Sequence, residues 1–251
     1  MRTLALALLA GLAAAAWVAP PAAAQQAAPS PLPKAEVERM VREYLLREPE
    51  VIYQALQELQ RRQEVEQVEM RRRLVAEHRE AIFAAKDDAV GGNPQGDVTL
   101  VEFFDYRCGY CRNMAQALRG LIGHDPKLRY VFKDMPILSP ESATAAKAAL
   151  AAARQGKYAE MHFALMQAKE LDPASVLDLA RQTGLDPQRL ASDMEDPAIT
   201  AKLEENLRLA QTLGIDGTPS FVVGDQVIAG ATEIARLAEL IAGERQKARA
   251  N

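Results

Sequence analysis

The hydrophobic pattern of the chain changes near Val90. Before it, from Lys34 to Lys86, apolar residues recur every three or four positions, glycine is absent and Pro49 is the only proline. This pattern predicts two helices, one on each side of Pro49, each with one apolar stripe. After Val90, residues 98–104 form a near-continuous apolar run, which is typical of a strand buried on both faces. The chain therefore combines a helical amino-terminal segment with an α/β part.

The α/β part is predicted to run β-α-β, then through a helical insertion at about 140–213, then β-β-α. After the strand at 98–104, a helix is predicted to begin near Cys108. Residues 91–97 are rich in glycine and polar residues and predict a turn before that strand. The remaining elements are strands at 128–135, 220–223 and 226–229 and a final helix from Glu233 to about Ala242. This order indicates an α/β fold.

Residues 1–24 have the pattern of a secretory signal peptide. A basic residue precedes an uncharged apolar run at 4–18, and small residues lead to a cleavage position after Ala24. An uncleaved membrane anchor is the alternative, because residues 4–24 carry no charge. Cleavage would place the mature chain in the periplasm, where a cysteine pair can be oxidised. Residues 25–33 are rich in alanine and proline and predict a short linker.

The helical segment at 34–86 carries an apolar stripe that a lone helix cannot bury. It contains 11 basic and 11 acidic residues, and its second helix would be about 55 Å long if it continued from Glu50 to Lys86. Arginines interrupt the stripe after Leu59. The stripe can pack on the chain's own globular part, pair with a second copy in a coiled-coil-like stalk, or stay solvated as a single helix. We expect self-association, with the number of subunits left open.

Net charge and cysteine content reduce the number of function classes that the sequence supports. A net charge of −4 does not support a basic surface for nucleic acid. Only two cysteines occur, Cys108 and Cys111, in a chain long enough to fold without a disulfide staple. They lie where a strand is predicted to lead into a helix, whose first N–H groups and dipole stabilise a thiolate. We expect Cys108 to be the attacking, more exposed sulfur and Cys111 to resolve the mixed disulfide.

Two other interpretations of the cysteine pair are weaker. An inert disulfide would stabilise the fold little, because cross-linking a short loop removes little entropy from the unfolded chain. A zinc site needs four ligands, and His78, His124 and His162 have no ligand spacing to the cysteines. Two thiolates can hold Cu(I), so copper binding is kept as an alternative function. The favoured redox interpretation requires no cofactor and no resident metal.

Glu102 lies six residues before Cys108, inside the apolar run. A carboxyl group buried there would be desolvated, which raises its pKa and suits it to exchange a proton with Cys111. A solvent-facing position on the strand is the alternative. The apolar neighbours on both sides favour burial.

Residues 101–111, which end in Cys108-Gly109-Tyr110-Cys111, resemble the active-site strand and helix start of the DsbA-like branch of the thioredoxin superfamily. The resemblance extends over about residues 90–245. It implies a thioredoxin fold with an inserted helical subdomain, and it implies that the cysteine pair forms a reversible disulfide. Glu102 stands in the place of the family's acidic residue, and Thr218-Pro219 matches its cis-proline loop. The substrate contacts that it implies are Thr218, Pro219, Gly109 and Tyr110.

One departure from the family affects the expected activity. Strongly oxidising DsbA proteins have Pro-His where this chain has Gly109-Tyr110, so we expect a weaker oxidant. Together with Thr218, this dipeptide resembles disulfide isomerases of the DsbC type. We therefore favour isomerase or reductase activity, and a net dithiol oxidase is the alternative.

The helical segment in front of a DsbA-like domain is similar to oligomeric ScsC-type (suppressor of copper sensitivity) disulfide isomerases. This resemblance implies a homo-oligomer that acts on protein thiols and disulfides, and a membrane redox partner that resets the cysteine pair. The predicted division is an oligomerisation stalk at 34–86 and a catalytic domain at 87–251.

Overall fold

The computed structural model describes residues 32–250. The predicted signal peptide, and all of the predicted linker except its last two residues, lie outside the described residues. The chain divides into two compact units between Glu58 and Leu59.

The described part of the first unit, residues 32–58, is helical. Helix α1 spans Lys34–Arg47 and buries none of its residues, and helix α2 begins at Glu50, so the predicted break at Pro49 is confirmed. Most of the large apolar side chains of residues 32–58 are exposed, whereas Leu45 and Val51 are half-buried. The exposed side chains include Val37, Met40, Val41, Tyr44, Leu46, Ile52, Tyr53 and Leu56.

In the second unit, the predicted second helix is divided. Helix α2 (Glu50–Glu77) ends before His78, and the short helix α3 (Arg79–Phe83) follows. A helix continuous to Lys86 is therefore not formed, because the chain bends at His78 (φ −103°, ψ 21°). Val75 and Ile82, on the two sides of the bend, are 1 % and 0 % exposed and pack in one core cluster with residues of the sheet. Burial of these two side chains holds the end of α2 and helix α3 against the sheet within the second unit.

The sheet has five strands in the order β1-β3-β2-β4-β5. Strands β2 and β3 are parallel, and every other neighbouring pair is antiparallel. The strands are β1 (Ala89–Gly92), β2 (Val98–Phe104), β3 (Leu128–Asp134), β4 (Ser220–Val223) and β5 (Gln226–Ala229). The predicted strands are confirmed within one residue at each end.

Strand β1 was not predicted from the sequence. Its Gly91 and Gly92 belong to the glycine-rich stretch that indicates a turn. In the structure both residues extend along β3, opposite Tyr130 and Arg129. A Cβ on Gly91 would lie 3.0 Å from the Phe132 ring, so glycine allows the close approach. Pairing with β3, which is distant in sequence, therefore outweighs the local turn preference.

The helices of the second unit fill the predicted positions. Helix α4 begins directly after Cys108, and five helices make up the predicted insertion. The final helix is longer than predicted, since it continues past Ala242 to Ala250. The bounds are α4 (Gly109–His124), α5 (Pro140–Ala153), α6 (Tyr158–Gln167), α7 (Pro173–Gln182), α8 (Pro187–Met194), α9 (Pro197–Thr212) and α10 (Ile234–Ala250). Among the described residues, no helix is both long enough and apolar enough to cross a membrane.

The two faces of the central strands bury different clusters. Alternate residues of a strand point to opposite faces. Leu100, Phe104, Tyr130 and Phe132 belong to the larger cluster, which includes residues of α4 and α6. Their neighbours along the strands, such as Val101 and Val131, belong to the cluster that contains Val75 and Ile82. We call these the active-site face and the anchor face.

Candidate redox site

Cys108 occupies the N-cap position of α4, as the sequence predicts. Its backbone is extended (φ −70°, ψ 117°), and the N–H of Cys111 lies 3.4 Å from its Sγ. The Cys108 thiol also donates to the carbonyl oxygen of Thr218 at 3.2 Å. Cys108 is 6 % exposed and Cys111 is 1 % exposed, which is the expected order. Both cysteines are free thiols in this structure, so the Cys108–Cys111 disulfide stays a prediction for the oxidised form.

The loop that faces Cys108 contains a cis peptide bond between Thr218 and Pro219. It leads directly into β4, which pairs antiparallel with β2. The Ser220 hydroxyl donates to the carbonyl of Gly217 at 2.8 Å and closes the loop from the strand side. The loop is therefore held by the same sheet that positions Cys108, and it brings Thr218 to the sulfur.

Glu102 is buried in the middle of β2, at 2 % exposure, so the solvent-facing alternative is excluded. Its Oε2 accepts a hydrogen bond from the Tyr130 hydroxyl, and its Oε1 has no partner. Burial raises the pKa of Glu102 to about 8, against the lowering effect of the Tyr130 hydrogen bond and with a further rise from Asp134. The carboxyl group can therefore gain or lose a proton near neutral pH.

Cys111 shares a small pocket with Glu102. Burial raises the pKa of the Cys111 thiol far above its usual range, and the negative charge of Glu102 raises it further. A thiol in this environment does not ionise spontaneously at neutral pH. It needs an acceptor for its proton at the moment it attacks, and Glu102 is the carboxyl group placed beside it.

Asp105 supports the turn before Cys108 and was missed in the sequence. Its Oδ1 accepts from the Arg107 N–H at 2.7 Å and from the Ser142 hydroxyl at 2.7 Å. Its Oδ2 accepts from the N–H groups of Ile137 and Leu138, at 2.8 and 3.0 Å. One buried side chain thus joins the active-site turn to the loop after β3 and to α5. An aspartate two residues before the amide it accepts from is a recognisable turn signal, but its long-range bonds are not readable from sequence.

Two arginines connect the site to the end of α6 and were also missed. Arg112 donates to the carbonyls of Tyr106, at 3.3 Å, and Ala168. Arg107 donates to the carbonyl of Lys169 at 3.3 Å. These bonds fix the inserted helices against the start of α4.

Apolar side chains are exposed around the cysteines. Tyr110 is 68 % exposed, and Ile137 and Leu138 are 42 % and 54 % exposed, on the loop that Asp105 holds. Gly109 has open space where a side chain would stand. The cysteine pair therefore lies beside a surface that can receive another polypeptide.

The described residues contain no group of three or more histidine, cysteine and acidic side chains that could hold a metal ion. His162 is buried, and its Nδ1 lies 3.1 Å from the Tyr106 hydroxyl. His124 contacts the carbonyl of Gly120 on its own helix, at 2.7 Å. Two-coordinate Cu(I) binding by the cysteines stays a prediction.

The fold and the place of the dithiol are those of thiol-disulfide oxidoreductases with a thioredoxin fold. The chain belongs to the family of DSBA-like thioredoxin domains, whose family model matches residues 99–242. The model of the copper resistance protein ScsC N-terminal domain matches residues 34–66. The chain is therefore a thiol-disulfide exchange protein of the DsbA and ScsC type.

Three solved structures illustrate the similarity. A thioredoxin-like oxidoreductase from Silicibacter pomeroyi is 45 % identical, with a TM-score of 0.65 over 67 % of this chain and 98 % of that one. The thiol-disulfide exchange protein alpha-DsbA2 from Wolbachia pipientis is 30 % identical, with a TM-score of 0.66 over 70 % and 96 %. A linker-deletion mutant of Proteus mirabilis ScsC is 25 % identical, with a TM-score of 0.65 over 89 % and 100 %.

The curated relatives are much longer proteins. The Na(+)/H(+) antiporter NhaA 3 of Salinispora tropica is 34 % identical over 139 residues, which is 54 % of this chain and 21 % of the antiporter. The chain thus spans about a fifth of the length of the curated relatives it matches.

Proposed function

We propose that the protein exchanges disulfides with secreted protein substrates, chiefly as an isomerase or reductase. The arrangement that carries the proposal is a dithiol at a helix start, with the Thr218 carbonyl against Cys108 and the Glu102 carboxyl beside Cys111. This arrangement supplies an attacking sulfur, a resolving sulfur and a proton acceptor.

The reaction begins when the Cys108 thiolate attacks a substrate disulfide. The substrate S–S bond breaks, a mixed disulfide forms, and one substrate sulfur leaves as a thiolate. In reduction, Cys111 gives its proton to the Glu102 carboxylate and attacks Cys108, and the second substrate sulfur leaves. The substrate gains two electrons, and the enzyme pair is oxidised. In isomerisation, a substrate thiolate attacks the mixed disulfide instead, and the enzyme is released in its reduced form.

The substrate is held at its main chain. The residue before the cis-proline, Thr218, offers its backbone to an extended segment, as an added strand would. The exposed side chain of Tyr110, together with Ile137 and Leu138, favours apolar segments that are accessible in incompletely folded proteins. After net reduction a membrane redox partner resets the cysteine pair.

The stalk is proposed at 34–86 and the catalytic domain at 87–251, with the last turns of the stalk packed on the anchor face. Support for self-association comes from the apolar residues that α1 and the first part of α2 leave exposed. A second copy with the same stripe would cover them. Association would place several dithiols in one assembly, which suits repeated attack on a substrate with several disulfides.

The proposed location is the periplasm. A similar solved structure, 27 % identical, is that of a periplasmic thioredoxin-like protein from Salmonella enterica. Residues 1–24 of this chain have the pattern of a cleaved signal peptide.

Refolding of a scrambled substrate with several disulfides tests the activity. The mature chain, residues 25–251, is compared with Cys108→Ala and Cys111→Ala. We expect no catalysis by Cys108→Ala, whereas Cys111→Ala should accumulate a mixed disulfide because the resolving sulfur is lost. Equal refolding rates with wild type and Cys108→Ala would overturn the proposal. Faster oxidation of reduced substrate than rearrangement of scrambled substrate would favour the oxidase alternative.

Sedimentation of the mature chain tests the stalk. Leu56→Glu puts a charge on the exposed stripe, and Gln57→Glu adds the same charge beside it as a control. We expect the wild type and Gln57→Glu to be oligomeric and Leu56→Glu to dissociate. A monomeric wild type would contradict self-association.

Copper handling is the second candidate function, supported by the match of residues 34–66 to a copper resistance protein domain. Titration of the reduced protein with Cu(I) tests it. Binding weaker than micromolar would remove this candidate.

A further inference from the structure

A second carboxyl group, Asp134, is buried on the active-site face together with Glu102. In the parallel register of β2 and β3, Glu102 is opposite Phe132 and Phe104 is opposite Asp134. Residues two apart on a strand share a face, so both carboxyl groups point to the same side of the sheet. Asp134 is 1 % exposed. The reaction described above makes no use of it.

Asp134 binds hydroxyl groups and no cation. Its Oδ2 accepts from the Tyr158 hydroxyl at 2.7 Å, and its Oδ1 has no partner. No lysine or arginine of residues 32–249 forms an ion pair with it. The nearest lysine along the strand, Lys133, points to the anchor face and pairs with Asp88. The Asp134 carboxyl group is therefore removed from water, and its hydrogen bond from Tyr158 compensates only part of the free energy that this costs.

The partners of Asp134 reach the active-site turn. The Tyr158 ring stacks on His162 at 5.9 Å between ring centres, and the His162 Nδ1 contacts the hydroxyl of Tyr106 at 3.1 Å. Tyr106 lies two residues before Cys108. His162 also lines the pocket that Glu102 and Cys111 share. A continuous set of buried polar groups thus runs from Asp134 to the redox site.

We propose that Asp134 is a positioning residue for thiol–disulfide exchange: it places a second buried carboxyl group on the face that carries Glu102, and its bond to Tyr158 supports the turn before Cys108. The inference rests on the proposed function of Glu102. Two carboxylates buried on one face of the sheet repel each other, so the second group to ionise does so at higher pH. Glu102 then keeps a proton that it can give to the Cys111 thiolate when the enzyme disulfide opens.

The pKa shifts of the groups around Asp134 and Glu102 agree with this role. Burial raises the pKa of Asp134 to about 7, against the lowering effect of the Tyr158 and Tyr106 hydroxyl groups, with a small further rise from Asp88. No lysine or arginine is among the described titratable groups around Glu102, which are Tyr130, Cys111, Asp134, Tyr106 and His162. Burial lowers the pKa of His162 to about 3, so its ring stays neutral in the pocket that Glu102 lines.

The resolving step provides the first test. Glutathione is attached to Cys108 of the mature chain as a mixed disulfide, and its release by Cys111 is followed as a function of pH. In Asp134→Asn we expect the midpoint of the pH profile to move lower by about half a pH unit, because Glu102 loses a repelling charge. Asp134→Glu keeps the charge and should restore the wild-type midpoint. An unchanged midpoint in Asp134→Asn would overturn the proposal.

A second measurement keeps the proposal testable if Asp134→Asn does not fold. Infrared spectra of protein labelled with 13C-aspartate follow the buried, protonated carboxyl of Asp134 against pH. Coupling is reciprocal, so Glu102→Gln should move the titration of that band to lower pH. A titration that is the same in wild type and Glu102→Gln would exclude the coupling. This readout needs no turnover, so it separates failure of the inference from failure of the proposed catalytic activity.

Discussion

The two faces of the sheet bury ionisable groups in opposite ways. On the anchor face, the Lys133 ammonium lies 2.6 Å from Asp88 and 2.7 Å from the carbonyl of Ala81, and Lys202 lies 2.8 Å from the same aspartate. On the active-site face, the carboxyl groups of Glu102 and Asp134 accept hydrogen bonds from tyrosine hydroxyl groups and form no ion pair among the described residues. On the anchor face, buried charged groups are compensated by groups of opposite charge. On the active-site face, neutral hydroxyl donors compensate the buried carboxyl groups only in part.

This difference separates buried charged groups that stabilise the fold from buried carboxyl groups that can exchange protons. A buried ion pair keeps both groups charged and joins the segments that carry them, here the chain after α3, β3 and α9. A buried carboxyl group without a cation has a raised pKa and can exchange protons near neutral pH. Lys133 and Asp134 are adjacent residues of β3. Lys133 therefore forms an ion pair on the anchor face, whereas Asp134 places a carboxyl group without a cation on the active-site face.

The largest effect is expected when the anchor-face ion pair is broken. Asp88→Ala leaves the ammonium of Lys133 buried without its carboxylate, which should lower the free energy of unfolding by about 4 kcal/mol. Urea denaturation of the reduced protein measures this change. Asp87→Ala, at the exposed neighbouring position, should change it by less than about 0.5 kcal/mol. Similar losses in both variants would mean that the ion pair does not anchor the segment.

A smaller effect, with a characteristic pH dependence, is expected from Glu102→Gln. The pKa of Glu102 is raised from 4.5 to about 8 in the folded protein, so between these values the native state binds more protons than the unfolded state. Stability should therefore fall as pH rises through this window, and the glutamine variant should lose that part of the slope. At pH 7 the variant should be more stable by roughly 3 kcal/mol.

Unfolding in urea at several pH values between about 4 and 9 measures this slope. Glu160→Gln removes an exposed carboxyl group and serves as the control. If Glu102→Gln and wild type have parallel stability curves, the buried carboxyl group is not titrating in this window.

The smallest effect is expected from Tyr130→Phe, which removes the hydrogen bond to Glu102 and keeps the ring. An unsatisfied buried acceptor should lower the free energy of unfolding by about 1 kcal/mol. Because this hydrogen bond lowers the pKa of Glu102, its loss should also move the midpoint of mixed-disulfide resolution to higher pH. Tyr53→Phe, on an exposed tyrosine, should change neither quantity. A midpoint shift toward lower pH would contradict the assigned hydrogen bond.

The sequence predicts the positions of helices and strands better than the tertiary contacts that these elements make. Strand β2 is recognisable from its apolar run and α4 from the position of the cysteines. By contrast, β1 is hidden because Gly91 and Gly92 have no strand preference of their own, and pairing with β3 decides their conformation. The bend at His78 is missed for a similar reason, since burial of Ile82 on the sheet outweighs the helical pattern.

The sequence by itself determined the redox pair, its place at a helix start and the acidic residue six positions before it, because these features depend on local spacing. Only the tertiary structure decided which groups surround them. Asp105, Asp134 and Asp88 gain their roles from distant partners. Their longest-range hydrogen bonds, to Ser142, Tyr158 and Lys133, span 37, 24 and 45 positions of the chain. The pKa of a carboxyl group depends on burial and on neighbouring charges, which chain separation does not reveal.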